Sequence, residues 1–198
     1  MSTVSNLNLL SVEHYRANEL TSPVKHEYLD GAVYAMAVAR NAHNRVATNT
    51  LVALGIRLRG KDCAPFNSDT KIRVPLPTHV RFYYPDASVV CGPNPPTDSF
   101  QDKPVALVEV LSRDTRRIDE GEKKDAYLTI PTLSVYVLIE QDQPAAIVFR
   151  RAEGSFVREV YQGQDAVIPL PQIDTELPVR ELYEGVQFLP EPADEEVS

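Results

Sequence analysis

Apolar positions recur at helical spacing in two early segments. Val12, Tyr15 and Leu20 form a rough stripe behind Ser11, whose hydroxyl suits a helix N-cap, and Pro23 closes the region. Residues 41–59 predict a longer helix. Ala47, Leu51, Leu54 and Leu58 follow at spacings of four, three and four, and Gly60 stands where a C-terminal cap belongs. One turn before Ala47, His43 falls on the same buried face. Between these helices, HEYLDGAVYAM predicts a β-hairpin turning on Asp30-Gly31, with Glu27 and Leu29 on one face and His26 and Tyr28 on the other.

After Gly60 the period changes from helical to alternating. Residues 66–74 predict a strand broken by Pro75-Leu76-Pro77, and residues 82–90 a second strand around Asp86. A proline-rich loop fills 92–104. The apolar run 105–111 (VALVEVL) predicts a strand buried on both faces. A helix starting between Asp114 and Gly121 runs to Ile130, with Lys123 and Tyr127 one turn apart. Strands at 133–140, 145–151 and 155–161 and a short helix near 179–185 complete the order. This succession predicts an α/β or mixed α+β sheet domain over residues 1–188, followed by an acidic tail at 189–198.

Composition narrows the classes of function. The chain has 198 residues, 43% of them hydrophobic, enough to build a core without a metal or disulfide frame. The longest apolar stretch, Ala32 to Ala39, is far short of the roughly 18 residues of a membrane span. The N-terminal MSTVSNLNLL lacks the basic start and apolar core of a signal peptide. Cys63 and Cys91 have no paired-motif spacing and predict reduced thiols in a cytoplasmic protein. The net charge of -8 is unevenly spread. Six of the 28 acids and none of the 20 bases lie after Arg180, leaving 22 acids against 20 bases in residues 1–180. The body is nearly neutral, so charge alone neither requires nor excludes a nucleic-acid substrate.

The candidate chemistry lies in a few carboxylates. Glu109 sits inside an apolar strand, where an isolated charge neutralises or finds a partner. Asp86 lies between Tyr83-Tyr84-Pro85 and Val89-Val90. On neighbouring strands the two would repel unless a cation joined them, and a hard ion such as Mg²⁺ suits two carboxylates, a carbonyl and waters. Alternatively, each acid caps a strand end or pairs with an arginine. Lys123 could serve that site or form a surface pair with Asp119, and Lys124 competes for the same role. Glu27 is a third carboxylate for the crevice or an ordinary edge acid. His43 is a neutral base, a ligand or a hydrogen-bonded core histidine. Arg113, Arg116, Arg117, Lys123 and Lys124 form the densest basic segment. Phosphate-loop, dinucleotide, zincin and hydrolase-elbow motifs are absent.

The run Tyr84-Pro85-Asp86, then Val108-Glu109-Val110-Leu111-Ser112, then Thr115, Asp119, Lys123 and Tyr127 at intervals of four, resembles the Uma-two family of endonucleases. That family belongs to the PD-(D/E)xK, restriction-endonuclease-like superfamily. Glu27-Tyr28, Asp30-Gly31, His43 and Ser68-Asp69 extend the resemblance over roughly residues 8–185. It implies a restriction-endonuclease-like core with an added N-terminal helix and hairpin. It also implies an Mg²⁺-dependent endonuclease acting on DNA, with Mn²⁺ as a substitute, and analogy with proteins of this fold that cut duplexes in pairs makes a homodimer one candidate assembly. By resemblance Asp86, Glu109 and the Val110 carbonyl are the metal ligands. Lys123, Glu27 and His43 are further catalytic residues. The superfamily lysine belongs two residues after Glu109, where this chain has Leu111, and Lys123 resembles a lysine that has migrated to the next helix. A nuclease-fold module without catalysis, binding nucleic acid or a protein, is the second reading, and Leu111 is what favours it.

Overall fold

The structure is a computed structural model, and it describes residues 9–36 and 38–188. The acidic segment 189–198 lies outside the described residues. In chain order the elements are α1 (Val12–Glu19), β1 (His26–Leu29), β2 (Ala32–Ala35), α2 (Asn41–Arg57), β3 (Ala64–Asn67), β4 (Lys71–Pro75), β5 (Val80–Tyr83) and β6 (Ala87–Val90). They continue with β7 (Phe100–Gln101), β8 (Pro104–Leu111), α3 (Arg116–Asp119), α4 (Glu122–Tyr127), β9 (Val135–Glu140), β10 (Ala145–Ala152) and β11 (Ser155–Gln162). The last are β12 (Val167–Leu170), β13 (Thr175–Pro178) and α5 (Val179–Leu182).

The strands form two main sheets. The first runs β2-β1-β5-β4-β7, the second β11-β10-β9-β8-β6-β3, and β12 pairs with β13 alone. Most pairings are antiparallel, but β4 and β7, and likewise β8 and β9, run parallel. The β8–β9 crossover carries α3 and α4, as a parallel pair requires. This is the expected mixed α+β architecture, with α1 and the β1–β2 hairpin added at the N-terminus.

Local chemistry accounts for the added elements. Ser11 accepts a hydrogen bond from the His14 N–H at the start of α1. Asp30 and Gly31 take positive φ values of 56° and 101°, the backbone a two-residue hairpin needs. A side chain at Gly31 would also strike Leu9, whose Cβ would be 2.8 Å away. Tyr15, Tyr28, Phe82 and Phe100 pack as one aromatic cluster under α1.

Two expectations are corrected here. Residues 82–90 are two strands in different sheets rather than one. Tyr84-Pro85-Asp86 leaves the ladder, because proline cannot donate to it, and the chain changes sheet there. Residues 66–74 divide likewise at the turn after Asn67. The second correction concerns the cysteines, expected as free thiols. Cys63 precedes β3 and Cys91 follows β6, and the register Ala64↔Val90 continues outward to bring them opposite each other, where they form a disulfide. Cross-strand register, which spacing in the sequence does not reveal, is what pairs them.

Helix α2 buries Val46, Thr50, Ala53 and Leu54, a face rotated by about one residue from the expected one, with Ala47 and Leu51 at its margin. It covers one face of the second sheet. The opposite face, carrying Leu107, Leu111, Tyr136 and Leu138, packs against Ile72, Val74 and Tyr83 of the first sheet and against Tyr127 of α4. Glu109 lies between Leu107 and Leu111 on the same face of β8 and so points into this second core.

Candidate active site

Asp86 sits at the point where the chain changes sheet. Its Oδ2 accepts the Val110 N–H at 2.7 Å and lies 3.2 Å from His43 Nε2. Both contacts fall on one oxygen, leaving Oδ1 outside them. Val110 is the neighbour of Glu109, so this single bond fixes Asp86 beside the centre of β8. His43, on the first turn of α2, is half-buried, and its enclosed Nδ1 has no hydrogen-bond partner among the described residues. Burial opposes its protonation, but the bond and charge of Asp86 outweigh that and raise its pKa above the ordinary histidine value.

Glu109 is 4% exposed. Its Oε1 accepts from the Tyr127 hydroxyl at 3.3 Å and from Lys123 Nζ at 3.0 Å. Desolvation pushes its pKa well above the usual carboxylate range. Lys123 works against that rise, and the charges of Asp119 and Asp86 add to it. Lys123, 5% exposed, stands between three carboxylates: Glu27 Oε1 at 2.9 Å, Glu109 Oε1 at 3.0 Å and Asp119 Oδ1 at 3.6 Å. Burial alone would lower its pKa. The surrounding carboxylates overcome burial and hold it firmly cationic. Lys124 points elsewhere, over the Phe149 ring and toward Asp125.

All five candidates, Glu27, His43, Asp86, Glu109 and Lys123, therefore meet in one place. They come from β1, α2, the β5–β6 crossing, β8 and α4. Leu111, where the superfamily has lysine, is buried in the apolar core with Ile72, Tyr127 and Leu138. The ammonium instead enters from α4 and reaches the same carboxylate.

One residue was undervalued by the sequence. Asp119 reads as the surface partner of Lys123, yet it is buried at 3% exposure. Burial raises its pKa, against Lys123, while the charges of Asp86 and Glu27 raise it further. The fourfold spacing of Thr115, Asp119, Lys123 and Tyr127 was the available signal. The elbow between α3 and α4 turns that stripe inward. Arg113 and Arg117 of the basic segment are exposed, while Arg116 pairs with Glu120 and Glu140.

The donor chemistry fits a hard divalent cation. Three carboxylates surround one ammonium in a water-poor setting, and the charge of Asp86 is close enough to act on Glu109 and Asp119. Among the described residues no three His, Cys, Asp or Glu side chains form a ligand set by themselves. A site built on Asp86 and Glu109 with a backbone oxygen would keep several waters, which is the habit of Mg²⁺.

Comparison with other proteins agrees with the architecture. The family model described as "Putative restriction endonuclease", Uma2, matches residues 12–180. Two relatives from Synechocystis sp. are "Uncharacterized protein slr1290" and "Uncharacterized protein sll1609". The first is 31% identical over 90% of this chain and 94% of its own length. The second is 29% identical over 71% and 80%. A solved structure from Anabaena variabilis, described as "a putative nuclease belonging to DUF820", superposes with a TM-score of 0.69 at 17% identity, covering 85% of this chain and 96% of that one. With a shared fold and a family match over most of its length, the chain belongs to the Uma2 family.

Proposed function

We propose that the protein is a divalent-metal-dependent endonuclease that hydrolyses phosphodiester bonds of DNA. The observation that supports this reading is the convergence of Asp86, Glu109 and Lys123, with the lysine supplied by α4. Asp86, Glu109 and the Val110 carbonyl would hold Mg²⁺, or Mn²⁺ in its place. When bound, the ion supplies Lewis-acid charge at the phosphoryl group and lowers the pKa of a bound water.

The residues of the chain do the rest. Lys123 remains protonated because Glu27, Glu109 and Asp119 surround it, so it offers fixed positive charge to the phosphate and a donor that orients the attacking water. Tyr127 and Lys123 fix the rotamer of Glu109. His43 and the Val110 N–H fix Asp86. Water attacks phosphorus in line, the bond to O3′ breaks, and 5′-phosphate and 3′-hydroxyl ends remain.

A DNA substrate suits a cytoplasmic enzyme. In a reducing cytosol Cys63 and Cys91 would be a dithiol already in register to close. No helix among the described residues is long and apolar enough to cross a membrane. A homodimer would place two such sites in one assembly, and light scattering can check that oligomeric state.

The test is cleavage of plasmid and single-stranded DNA with Mg²⁺, with Mn²⁺ and with EDTA. Wild type should cut only with metal, and Glu109→Gln and Lys123→Met should be inactive. A wild type that stays inert with every metal, or cutting that survives in both variants, overturns the reading.

A further inference from the structure

Tyr34 stands directly opposite Glu27 in the β1–β2 ladder. Opposed residues of an antiparallel pair project from the same face, with Cβ atoms about 4.5–5.5 Å apart. The Glu27 carboxylate reaches Lys123 at 2.9 Å, so that face looks into the acidic cluster. Leu29, two residues on, packs in the same core as Tyr127, which confirms the direction. Tyr34 is thus the next side chain outward from the candidate site. It is 56% exposed, and β2 is the edge of its sheet. Val33, also exposed, lies on the other face, opposite Tyr28 of the aromatic cluster.

Two further observations bear on what an aromatic ring does there. Glu109, Asp119 and Lys123 are each 5% exposed or less, so a phosphate must enter a deep site to reach them. The stiff backbone of an intact duplex is poorly shaped for that, whereas a single strand can bend in. The body is also slightly acidic, with 22 acids against 20 bases in residues 1–180, so attraction to phosphates cannot supply most of the grip. Stacking on an exposed aromatic side chain holds a single strand without a large basic surface.

We propose that Tyr34 is the stacking platform for the nucleobase beside the scissile phosphate, and that the preferred substrate is single-stranded DNA. This rests on the nuclease reading above. Tyr34 is a positioning residue: its ring fixes the base and so sets where the adjoining phosphate meets the site. Its hydroxyl is dispensable for that role, and its ring is not.

The chain contains no tryptophan, so Tyr34→Trp introduces a single reporter of stacking. Full-length protein is titrated with a short labelled oligothymidylate and with a matched duplex, in EDTA so that nothing is cut. The expected result is quenching of the Tyr34→Trp fluorescence by the single strand. Tyr34→Ala should weaken single-strand binding about 5- to 150-fold, the equivalent of about 1–3 kcal/mol for one stacked base. Tyr34→Phe should bind within about twofold of wild type. Melting temperatures should match wild type throughout, because the side chain is exposed. Wild-type preference for duplex, or an unaltered affinity in Tyr34→Ala, overturns the proposal while leaving metal-dependent cleavage intact. A wild type that neither binds nor cuts either form overturns both readings together.

Discussion

Lys123 Nζ lies 2.9 Å from Glu27 Oε1, and this contact joins the helix after β8 to the hairpin near the N-terminus. The same ammonium meets Glu109 of the second sheet at 3.0 Å. One buried cation therefore ties both sheets and α4 together at the site where chemistry is expected.

Removing that cation should be costly. Lys123→Met leaves Glu27, Glu109 and Asp119 without their shared partner, and loss of one member of a buried ion pair costs about 3–5 kcal/mol. Glu109→Gln should cost less than about 1 kcal/mol, because the amide oxygen can still accept from Lys123 and Tyr127 while one of the crowded charges is removed. The double variant should be more stable than the sum of the two losses predicts, since the groups are coupled. Urea denaturation in EDTA measures all three. A Lys123→Met protein as stable as wild type would show that the cluster does not depend on its cation.

Metal should stabilise the folded state. The apo site concentrates carboxylates whose pKa values are raised by burial and further by one another's charge, and an ion that binds only the folded chain adds stability by mass action. At 100 times the dissociation constant this is about 2.7 kcal/mol, well resolved in a melting scan. Glu109→Gln and Asp86→Asn should each lose most of the gain with Mg²⁺ or Mn²⁺. Equal metal shifts in wild type and both variants would move the ion elsewhere.

Much of this site was legible from residue type and neighbourhood. Glu109 is conspicuous because a carboxylate inside VALVEVL has no reason to be there unless something meets it. The Asp30-Gly31 turn follows from its backbone preference alone, whereas spacing left Lys123 open between this site and a surface pair with Asp119, and only the family resemblance chose it over Lys124. Other features depend on long-range pairing that no local pattern encodes. Asp86 looked like a mid-strand residue because its flanks are apolar on both sides, although those flanks belong to different sheets. Cys63 and Cys91 meet only through the β3–β6 register. The strands β12 and β13 went unread because Pro169 and Pro178 interrupt their alternation, and each pairs only with the other.

Stability should also depend on pH in a defined direction. The folded-state pKa values of Glu109 and Asp119 are raised by burial. That of His43 is raised by Asp86 against the effect of its burial. All three groups bind protons more tightly in the folded chain than in the unfolded one. Their contribution is fully present below the unfolded values, about 4 for the carboxyls and 6.5 for the histidine, and is lost as pH rises through the raised folded values. Glu159 and Asp69 have lowered values from their Arg150 and Lys25 partners and act oppositely, losing stability only in acid. In EDTA the melting temperature should therefore peak at mildly acidic pH, near about 5, and fall through the neutral range. Glu109→Gln should flatten that fall. A wild-type melting temperature that climbs through neutrality would contradict the assignment.

The elbow between α3 and α4 offers a test that leaves every charged group in place. Gly121 joins the two helices, and a Cβ there would lie 2.6 Å from the Arg117 carbonyl oxygen. That atom is backbone and cannot rotate aside, so Gly121→Ala must push the helices apart. Asp119 ends α3 and Lys123 lies in the first turn of α4, so the displacement falls on their 3.6 Å contact. Overpacking of this kind costs about 1–3 kcal/mol. The activity loss should be larger than the stability loss implies, because a shift of about 1 Å in a reacting geometry can cost 100-fold. Gly92→Ala is the control: its Cβ would meet nothing within 4 Å, and the change should stay within about 0.5 kcal/mol with full activity. Melting scans together with metal-dependent cleavage rates separate the two effects. If Gly121→Ala matched the Gly92→Ala control in both measurements, the position of Lys123 relative to Asp119 would not depend on the elbow, and the inward turn of α4 would need another cause.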